Sequence, residues 1–265
     1  MAIAVGPDGA VDVLDARNQR VQRFSRGVAV ASAGPVGEAT QDITHLPDGR
    51  LVTVDRLGTG TVTVFDRDGH PGATVPLRGG PIAEGGAVTG VFADADGVYV
   101  ENAHREVVRV ADANGHEDPA RPTLWGRPSR DGAQLLRAAI EDRMAGTVRV
   151  IVAARENGAI KDAGRRWFRC GRRCCTSADA RGAARGASHV AATVARSRRR
   201  ACATRRWWWR ASTARGALDG VMRLPPLAGE DELFRPVTVD DDGGVYVMDA
   251  TPAGLVVRRY GFAPD

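Results

Sequence analysis

The stretch Val11–Phe24 reads VDVLDARNQRVQRF and follows the turn Gly6-Pro-Asp-Gly9. Pro7 fixes φ at the second position of that turn, and Gly9 tolerates a positive φ. The β-branched residues on both sides of the polar corner Asp15–Asn18 are typical of short strands. The stretch therefore predicts a unit made of a glycine-marked turn, a strand, a polar corner and a second strand.

Three further copies of this unit follow along the chain. Their turns are Leu46-Pro-Asp-Gly49, Asp94-Ala-Asp-Gly97 and Asp240-Asp-Asp-Gly243. The corner residues predicted from the four copies are Asp15, Asn18, Asp55, Asn102 and Asp249. Short polar side chains at one repeated position favour a role in bonding nearby backbone amides over a role in binding a cation.

The spacing between copies indicates the fold. The turn aspartates Asp8, Asp48 and Asp96 lie roughly 40 to 48 residues apart, a period at which propeller blades of several short strands recur. One small twisted sheet cannot bury both of its faces, whereas a ring of such sheets can. The sequence therefore predicts an all-β fold, a β-propeller of four-stranded blades that is incomplete or has one disrupted blade.

The first copy also resembles a known repeat. The residues Asp15-x-x-Asn18-x-Arg20-Val21-x-x-Phe24, after Gly9-x-Val11-x-Val13, resemble an NHL-type propeller repeat. The later copies keep the turn and strands but lose the Asn-x-Arg portion. The resemblance implies a β-propeller. NHL-type propellers bind proteins or RNA and in some cases are metal-dependent enzymes, so the resemblance does not choose a function.

The strand pattern divides the chain into three predicted segments: propeller blades at 1–158, a segment of different composition at 159–220, and a C-terminal blade at 221–265. Residues 127–155 could form a helix or strands, and the β-branched run Thr147–Val152 favours strands at 134–140 and 147–153. A turn is predicted at Asp131-Gly132.

The middle segment is rich in Arg, Ala, Cys and Trp. Residues 165–215 hold 15 arginines and one acid, so the net charge of +5 hides an acidic remainder. A single lysine against 36 arginines is typical of GC-rich, here bacterial, coding.

GC-rich DNA read in a shifted frame explains the segment best. A disordered or partner-binding basic insertion is the next interpretation, and only in that case do we expect nucleic acid as a partner, with Trp207–Trp209 stacking on bases. A zinc site is weakest, because the spacing matches no usual paired-ligand motif; its ligands would be Cys170, Cys174, Cys175, His189 and Cys202.

Candidate chemistry is sparse elsewhere. We find no phosphate-binding loop, no nucleophile elbow and no His-Glu-x-x-His motif. His70 and His116 each follow a turn glycine and are predicted to be exposed. A mixed oxygen and nitrogen metal site, for a divalent cation such as calcium, is a weak candidate; its residues are Glu84, Glu101, Asn102 and His104. Glycines at 79–80 and 85–86 flank Glu84, in a recognition loop or a flexible connector between blades.

The function predicted is that of a non-catalytic binding or scaffold protein, with a protein or small ligand on a propeller rim and no cofactor. The alternative is a metal-dependent hydrolase or lyase with carboxylates and histidines lining the central channel. We expect a monomer and no membrane span, because no apolar run reaches 18 residues. No signal peptide is visible at the N-terminus, and export to the periplasm would fit only a truncated start.

Overall fold

The computed structural model describes residues 1–142, 147–156, 159–170, 175–178, 207–212, 218–224, 235–240, 244–251 and 254–260. These ranges are all-β apart from two single-turn 3-10 helices, Ala16–Asn18 and Gly85–Ala87. The chain forms two compact units. The first comprises Met1–Leu135 and Asp231–Asp240, and the second comprises Leu136–Glu230 and Asp241–Asp265.

The first unit holds three four-stranded antiparallel sheets, in each of which the strands follow chain order. We call them blades 1 to 3. Blade 1 is β1 (Ile3–Val5), β2 (Val11–Asp15), β3 (Arg20–Ser25) and β4 (Val28–Ala33). Blade 2 is β5 (Thr40–His45), β6 (Leu51–Asp55), β7 (Thr61–Phe65) and β8 (Pro71–Pro76). Blade 3 is β9 (Val88–Asp94), β10 (Gly97–Asn102), β11 (Glu106–Ala111) and β12 (Thr123–Leu124).

Later strands continue the all-β pattern. They are β13 (Arg127–Pro128), β14 (Gln134–Asp142), β15 (Thr147–Glu156), β16 (Ala159–Cys170), β17 (Cys175–Ala178), β18 (Trp207–Ser212), β19 (Leu218–Leu224), β20 (Val237–Val239), β21 (Val245–Thr251) and β22 (Gly254–Tyr260). In the second unit β15 pairs with β16, β16 with β17, β18 with β19 and β21 with β22, all antiparallel.

The blades of the first unit stack through their inner strands, with β1 beside β5 and β5 beside β9. Apolar residues fill the space between blades 2 and 3, among them Val54, Val62, Val91 and Val100. A smaller cluster that includes Leu14, Ile43 and Phe65 packs blade 1 on blade 2. Each fully buried valine stabilises the fold by about 1.5 kcal/mol. The predicted all-β propeller is confirmed, because each small sheet is buried by its neighbours.

The glycine-marked turns lie where the sequence predicts them. Gly9 and Gly49 have φ of +76° and +87°. At Gly97, a Cβ atom would lie 2.2 Å from the carbonyl oxygen of Ala111, so the hairpin of blade 3 requires glycine. The predicted turn at Asp131-Gly132 is present, and the strands predicted after it are confirmed as β14 and β15. The last three residues of the predicted turn Asp240–Gly243 lie outside the described residues.

The predicted middle segment, 159–220, is described only in part. Its described strands are β16, β17, β18 and the start of β19. Among the proposed zinc ligands, Cys174, His189 and Cys202 lie outside the described residues, as do the side chains of Cys170 and Cys175. The frame-shift, insertion and zinc interpretations therefore stay predictions. Within the described residues, no helix is long and apolar enough to cross a membrane.

Candidate functional site

Asp42 is a fully buried carboxylate on the inner strand of blade 2. Its Oδ1 atom accepts a hydrogen bond from the amide of Ile43 at 3.0 Å. Its Oδ2 atom accepts one from the amide of Val91, on the inner strand of blade 3, also at 3.0 Å. Burial raises the pKa of Asp42, although Arg235 and the two amides oppose that rise. This carboxylate therefore joins two neighbouring blades.

Arg235 is the guanidinium partner of Asp42. Its Nη2 atom lies 2.6 Å from Asp42 Oδ2 and donates to the carbonyl of Val91 at 3.0 Å, while Nη1 donates to the carbonyl of Ile43. The backbone of Arg235 accepts a hydrogen bond from the amide of Ile3 at 3.1 Å. A segment late in the chain thus contacts the inner strands of all three blades. Sequence reasoning missed both residues, because 193 positions separate them.

A second acid–base pair joins the inner part of blade 3 to β13. Arg127 donates from Nε to Glu101 Oε1 at 2.8 Å and from Nη2 to Glu101 Oε2 at 3.0 Å. Thr89 adds a hydroxyl hydrogen bond at 2.9 Å. Burial raises the pKa of Glu101, but the hydrogen bonds and charge of Arg127 outweigh it, so the pKa lies below its usual value. Glu101 is held as a carboxylate.

The two pairs meet at one aromatic ring. The guanidinium carbons of Arg127 and Arg235 lie 5.4 Å and 5.3 Å from the centroid of the Phe92 ring, within the range of cation–π attraction. We name these five residues the inner arginine cluster: Asp42, Phe92, Glu101, Arg127 and Arg235. The formal charges of the cluster balance, two carboxylates against two guanidiniums. Each acid is neutralised by an arginine, which leaves little attraction for a cation.

The four predicted metal-site residues lie in different surroundings. Glu101 and His104 are close, with 3.4 Å between Oε2 and Nδ1, but the His104 side chain is 76% exposed. Glu84 is exposed and precedes the 3-10 turn Gly85–Ala87 without a side-chain cap. Asn102 donates to the carbonyl of Pro81 at 3.0 Å. Its Oδ1 atom is buried without a partner in the described part of the chain.

Three groups able to hold one cation come together elsewhere. Within the described residues, the one such set is Asp66, Asp68 and His70, all exposed, in the hairpin between β7 and β8. Asp66 Oδ1 already accepts the amides of Asp68 and His70, each at 2.9 Å, which is the ordinary arrangement of an aspartate turn. None of the four residues predicted from the sequence belongs to this set, and their metal binding stays a prediction.

The corner aspartates Asp15 and Asp55 accept hydrogen bonds from residues close in sequence, but their partners differ. Asp15 accepts from Asn18 Nδ2 at 2.7 Å and from Arg20 Nε at 3.3 Å. Asp55 is buried and accepts from the amide of Gly58 at 2.7 Å. It also accepts from the amide and hydroxyl of Thr59, each at 3.2 Å. A Cβ on Gly58 would lie 2.7 Å from Asp55 Oδ2, so this corner requires glycine.

The two remaining corners differ from the Asp15 pattern. Asp249 is buried, and its Oδ2 atom lies 3.6 Å from Nη1 of Arg258 on the paired strand β22. Asn102 uses its side chain across a loop rather than within its own corner. Its backbone carbonyl still accepts a hydrogen bond from the amide of Arg105 at 3.0 Å, which closes the turn between β10 and β11.

The glycine-containing loop at 79–87 is anchored at several points. Gly79 and Ile82 exchange backbone hydrogen bonds, and the side chain of Ile82 is buried. Arg56 donates from Nη1 to the carbonyl of Val88 at 3.1 Å, just beyond the loop. The amide of Ala103 donates to the carbonyl of Ala87 at 2.8 Å. The loop is therefore joined to the segments that follow β6 and β10 by hydrogen bonds.

An exposed apolar residue lies beside this loop. Leu57 is 63% exposed, and its Cδ2 atom lies 3.9 Å from where a Cβ on Gly86 would be. The Glu84 Oε1 atom lies 4.0 Å from the same point. The exposed His104 follows Ala103, which bonds to the loop. We name Leu57, Glu84, Gly86 and His104 the rim patch.

A buried His–Asp pair links blades 1 and 2. His45 Nε2 lies 2.5 Å from Asp12 Oδ2, and the two side chains are 0% and 4% exposed. His45 Nδ1 and Asp12 Oδ1 are buried without hydrogen-bond partners among the described residues. Nothing in the sequence pattern singled out this pair, because its two residues lie 33 positions apart. His70 and His116, predicted to be exposed, have side chains that are 74% and 79% exposed.

Comparisons with known proteins bear on the fold. No protein-family model and no curated protein matches the sequence. A gluconolactonase from Xanthomonas campestris is similar in structure with a TM-score of 0.50 at 14% identity, over 98% of this chain and 85% of that chain. This similarity identifies the class of the chain as a β-propeller protein.

Other solved structures are less similar. Virginiamycin B lyase from Staphylococcus aureus has a TM-score of 0.41 at 9% identity, over 93% of this chain and 75% of that chain. A protein of unknown function from Bacteroides caccae has a TM-score of 0.41 at 13% identity, over 84% of this chain and 77% of that chain. At 14% identity, the similarity to the gluconolactonase extends to the fold alone. The NHL-type resemblance stays a prediction.

Proposed function

We propose that this β-propeller protein is a non-catalytic binding protein that holds a protein ligand at the rim patch. The observation that carries the proposal is the pairing of the inner carboxylates with arginines. Asp42 and Glu101 are the buried acids of the inner arginine cluster, and each is neutralised by a guanidinium group. A metal-dependent reaction needs several ligands turned toward one open point. The inner arginine cluster offers no such set of ligands, because both of its carboxylates are paired with arginines.

The rim patch has the composition of a contact surface. Leu57 supplies an exposed apolar side chain, Glu84 supplies a carboxylate near it, and the exposed His104 follows Ala103, which is hydrogen-bonded to the same loop. An apolar anchor with a polar surround is typical of residues that dominate binding energy. The anchored loop lowers the entropy lost on association, because it is already held in place by Arg56 and Ile82.

The test uses a random peptide library displayed on phage, selected against the intact protein. Peptides that bind the rim patch should lose about tenfold or more in affinity for Leu57→Asp, the equivalent of about 1.4 kcal/mol. The matched control is Leu255→Asp, at another exposed leucine. Equal binding of the selected peptides to both variants and to the unaltered protein would place the binding surface elsewhere and refute the proposal.

The alternative is a metal-dependent hydrolase or lyase, and one observation favours it. Asn102 Oδ1 is buried and has no hydrogen-bond partner among the described residues, and it lies next in sequence to Glu101, which contacts His104. A cation such as calcium would satisfy that oxygen. Calcium titration by calorimetry separates the two functions. The binding-protein proposal expects no saturable site that depends on Asn102, whereas saturable binding abolished by Asn102→Ala and by Glu84→Gln would favour the alternative.

A further inference from the structure

Among the described residues, the outer strand of blade 1 forms an exposed sheet edge. Strand β4 spans Val28–Ala33 and is the last strand of its sheet. Its first five residues are exposed, with Val28 at 64% and Val30 at 57%. The strand contains no charged residue and no proline. Such an edge presents free backbone donors and acceptors that can pair with another strand.

The other two blades of the first unit protect the same position. In blade 2, β8 begins at Pro71 and ends at Pro76, and proline removes a backbone donor from an edge. In blade 3, β12 is only two residues long. Both β4 and β8 contain a bulge in their pairing with the neighbouring strand. Apart from its bulge, strand β4 has none of the features that blunt sheet edges: it carries no charge and no proline, and it is six residues long.

The two ends of β4 carry opposite charges. Arg26, exposed in the β3–β4 turn, lies at its N-terminal end. At its C-terminal end the amide of Gly34 donates to the carbonyl of Gly69 at 3.0 Å, which places the β7–β8 hairpin turn there. That turn exposes Asp66 and Asp68 against one arginine, Arg67, and is acidic overall. A basic end and an acidic end therefore flank a neutral strand.

We propose that β4 pairs antiparallel with the β4 strand of a second copy of this chain. A two-fold axis across the strand sets Val28 of one copy near Ala33 of the other, so Arg26 of each copy approaches the Asp66–Asp68 turn of its partner. In a two-fold dimer, a residue near the axis lies beside the same residue of the other copy, so a charged residue there would repel its own copy. Strand β4 carries no charge and avoids this repulsion. The dimer goes beyond the rim-binding proposal and does not depend on it.

The expected interface is small. Two six-residue strands with their flanking turns fall at the low end of specific interfaces, so the dissociation constant should be micromolar. The bulge at Val30 increases the twist of β4. The partner strand, being identical, carries the same twist. The sequence analysis expects a monomer, so the proposed dimer and that expectation predict different results in the experiment below.

Sedimentation equilibrium of the full chain tests the proposal. The unaltered protein should dimerise, and Val30→Lys should weaken dimerisation about tenfold or more, because it places two lysines at the axis. Leu57→Lys, at a similarly exposed residue of the rim patch, is the matched control and should dimerise normally. A monomer at every concentration, or equal weakening by both variants, would overturn the proposal.

A charge exchange at the strand ends tests the geometry without touching β4. Arg26→Asp should weaken the dimer, and Asp68→Arg should do the same. Together they should restore it, because each copy again presents opposite charges to its partner. Failure of the double variant to recover would refute the antiparallel arrangement. If the unaltered chain stays monomeric but binds an unrelated strand peptide through β4, the partner is a different chain and the proposal is wrong.

Discussion

The two acid–base pairs of the inner arginine cluster share a phenylalanine ring but differ in how they hold their charge. Asp42 is completely buried, and burial raises its pKa despite the contact with Arg235. Glu101 is nearly as buried, yet its pKa lies below the usual value. Glu101 receives both guanidinium donors of Arg127 and the hydroxyl of Thr89. Each carboxylate accepts three hydrogen bonds, but two of those at Glu101 come from a guanidinium and only one at Asp42 does. The comparison teaches that depth of burial and bidentate pairing, rather than the mere presence of a counter-charge, decide the direction of the pKa shift.

The largest expected effect comes from Arg235→Met. Asp42 would remain buried without its guanidinium partner, and the carbonyls of Ile43 and Val91 would lose donors. We expect the free energy of unfolding to fall by about 3–5 kcal/mol in urea denaturation. The double variant Asp42→Asn with Arg235→Met removes the stranded charge and should recover part of that loss. No recovery would show that the packing of Arg235, and not its charge, is what stabilises the blades.

Arg127→Met should have a smaller effect. The side chain of Arg127 is 44% exposed, against 23% for Arg235, so water can replace part of what Glu101 loses. We expect a loss of about 1–2 kcal/mol in the same denaturation experiment. Glu101→Gln is the matched partner change and should cost no more. A loss equal to that of Arg235→Met would contradict the distinction between the two pairs.

Phe92→Leu removes the ring that both guanidiniums approach while keeping an apolar side chain. We expect about 1 kcal/mol of destabilisation from the lost cation–π contacts. In a double-mutant cycle, Phe92 should couple to Arg127 and to Arg235 with similar energies, because the two distances to the ring are nearly equal. Coupling to only one arginine would show that the other contact adds nothing to stability.

The smallest expected effect is that Asp42 and Glu101 change the pH dependence of unfolding in opposite directions. Asp42 has a raised pKa in the folded state, so its contribution to stability decreases as pH rises from its ordinary value of 3.8 through the folded value. Glu101 has a lowered pKa, so its contribution is complete above its ordinary value of 4.5 and is lost as pH falls through the folded value. Asp42→Asn should therefore remove the loss of stability that occurs as pH rises above 3.8. Glu101→Gln should remove the loss of stability that occurs as pH falls below 4.5. Parallel changes in both variants would contradict these directions.

The turns and strands could be predicted because their causes are local. Gly9 and Gly97 adopt backbone conformations that the sequence marks directly, and the β-branched run of β15 favoured a strand over a helix. The aspartate corner at Asp55 likewise bonds to residues three and four positions away. Short-range patterns of this kind carry most of the fold.

The inner arginine cluster could not be predicted, because its contacts join distant parts of the chain. Asp42 lies in a strand, Thr40–His45, whose other residues gave no reason to single it out. Arg235 was one arginine among many, and its role depends on where the stacking of blades places it. The prediction of a metal site named Glu101 but missed Arg127, 26 residues away, which occupies its carboxylate oxygens. A carboxylate's chemistry depends on its spatial neighbours, which one sequence does not reveal.

The 193-residue separation of Asp42 and Arg235 has a consequence for biosynthesis. Asp42 leaves the ribosome long before Arg235 has been translated, so any packing of blades 2 and 3 before that point buries the acid without this guanidinium partner. Translation that stops before codon 235 should therefore yield nascent chains that chaperones and proteases recognise as unfinished.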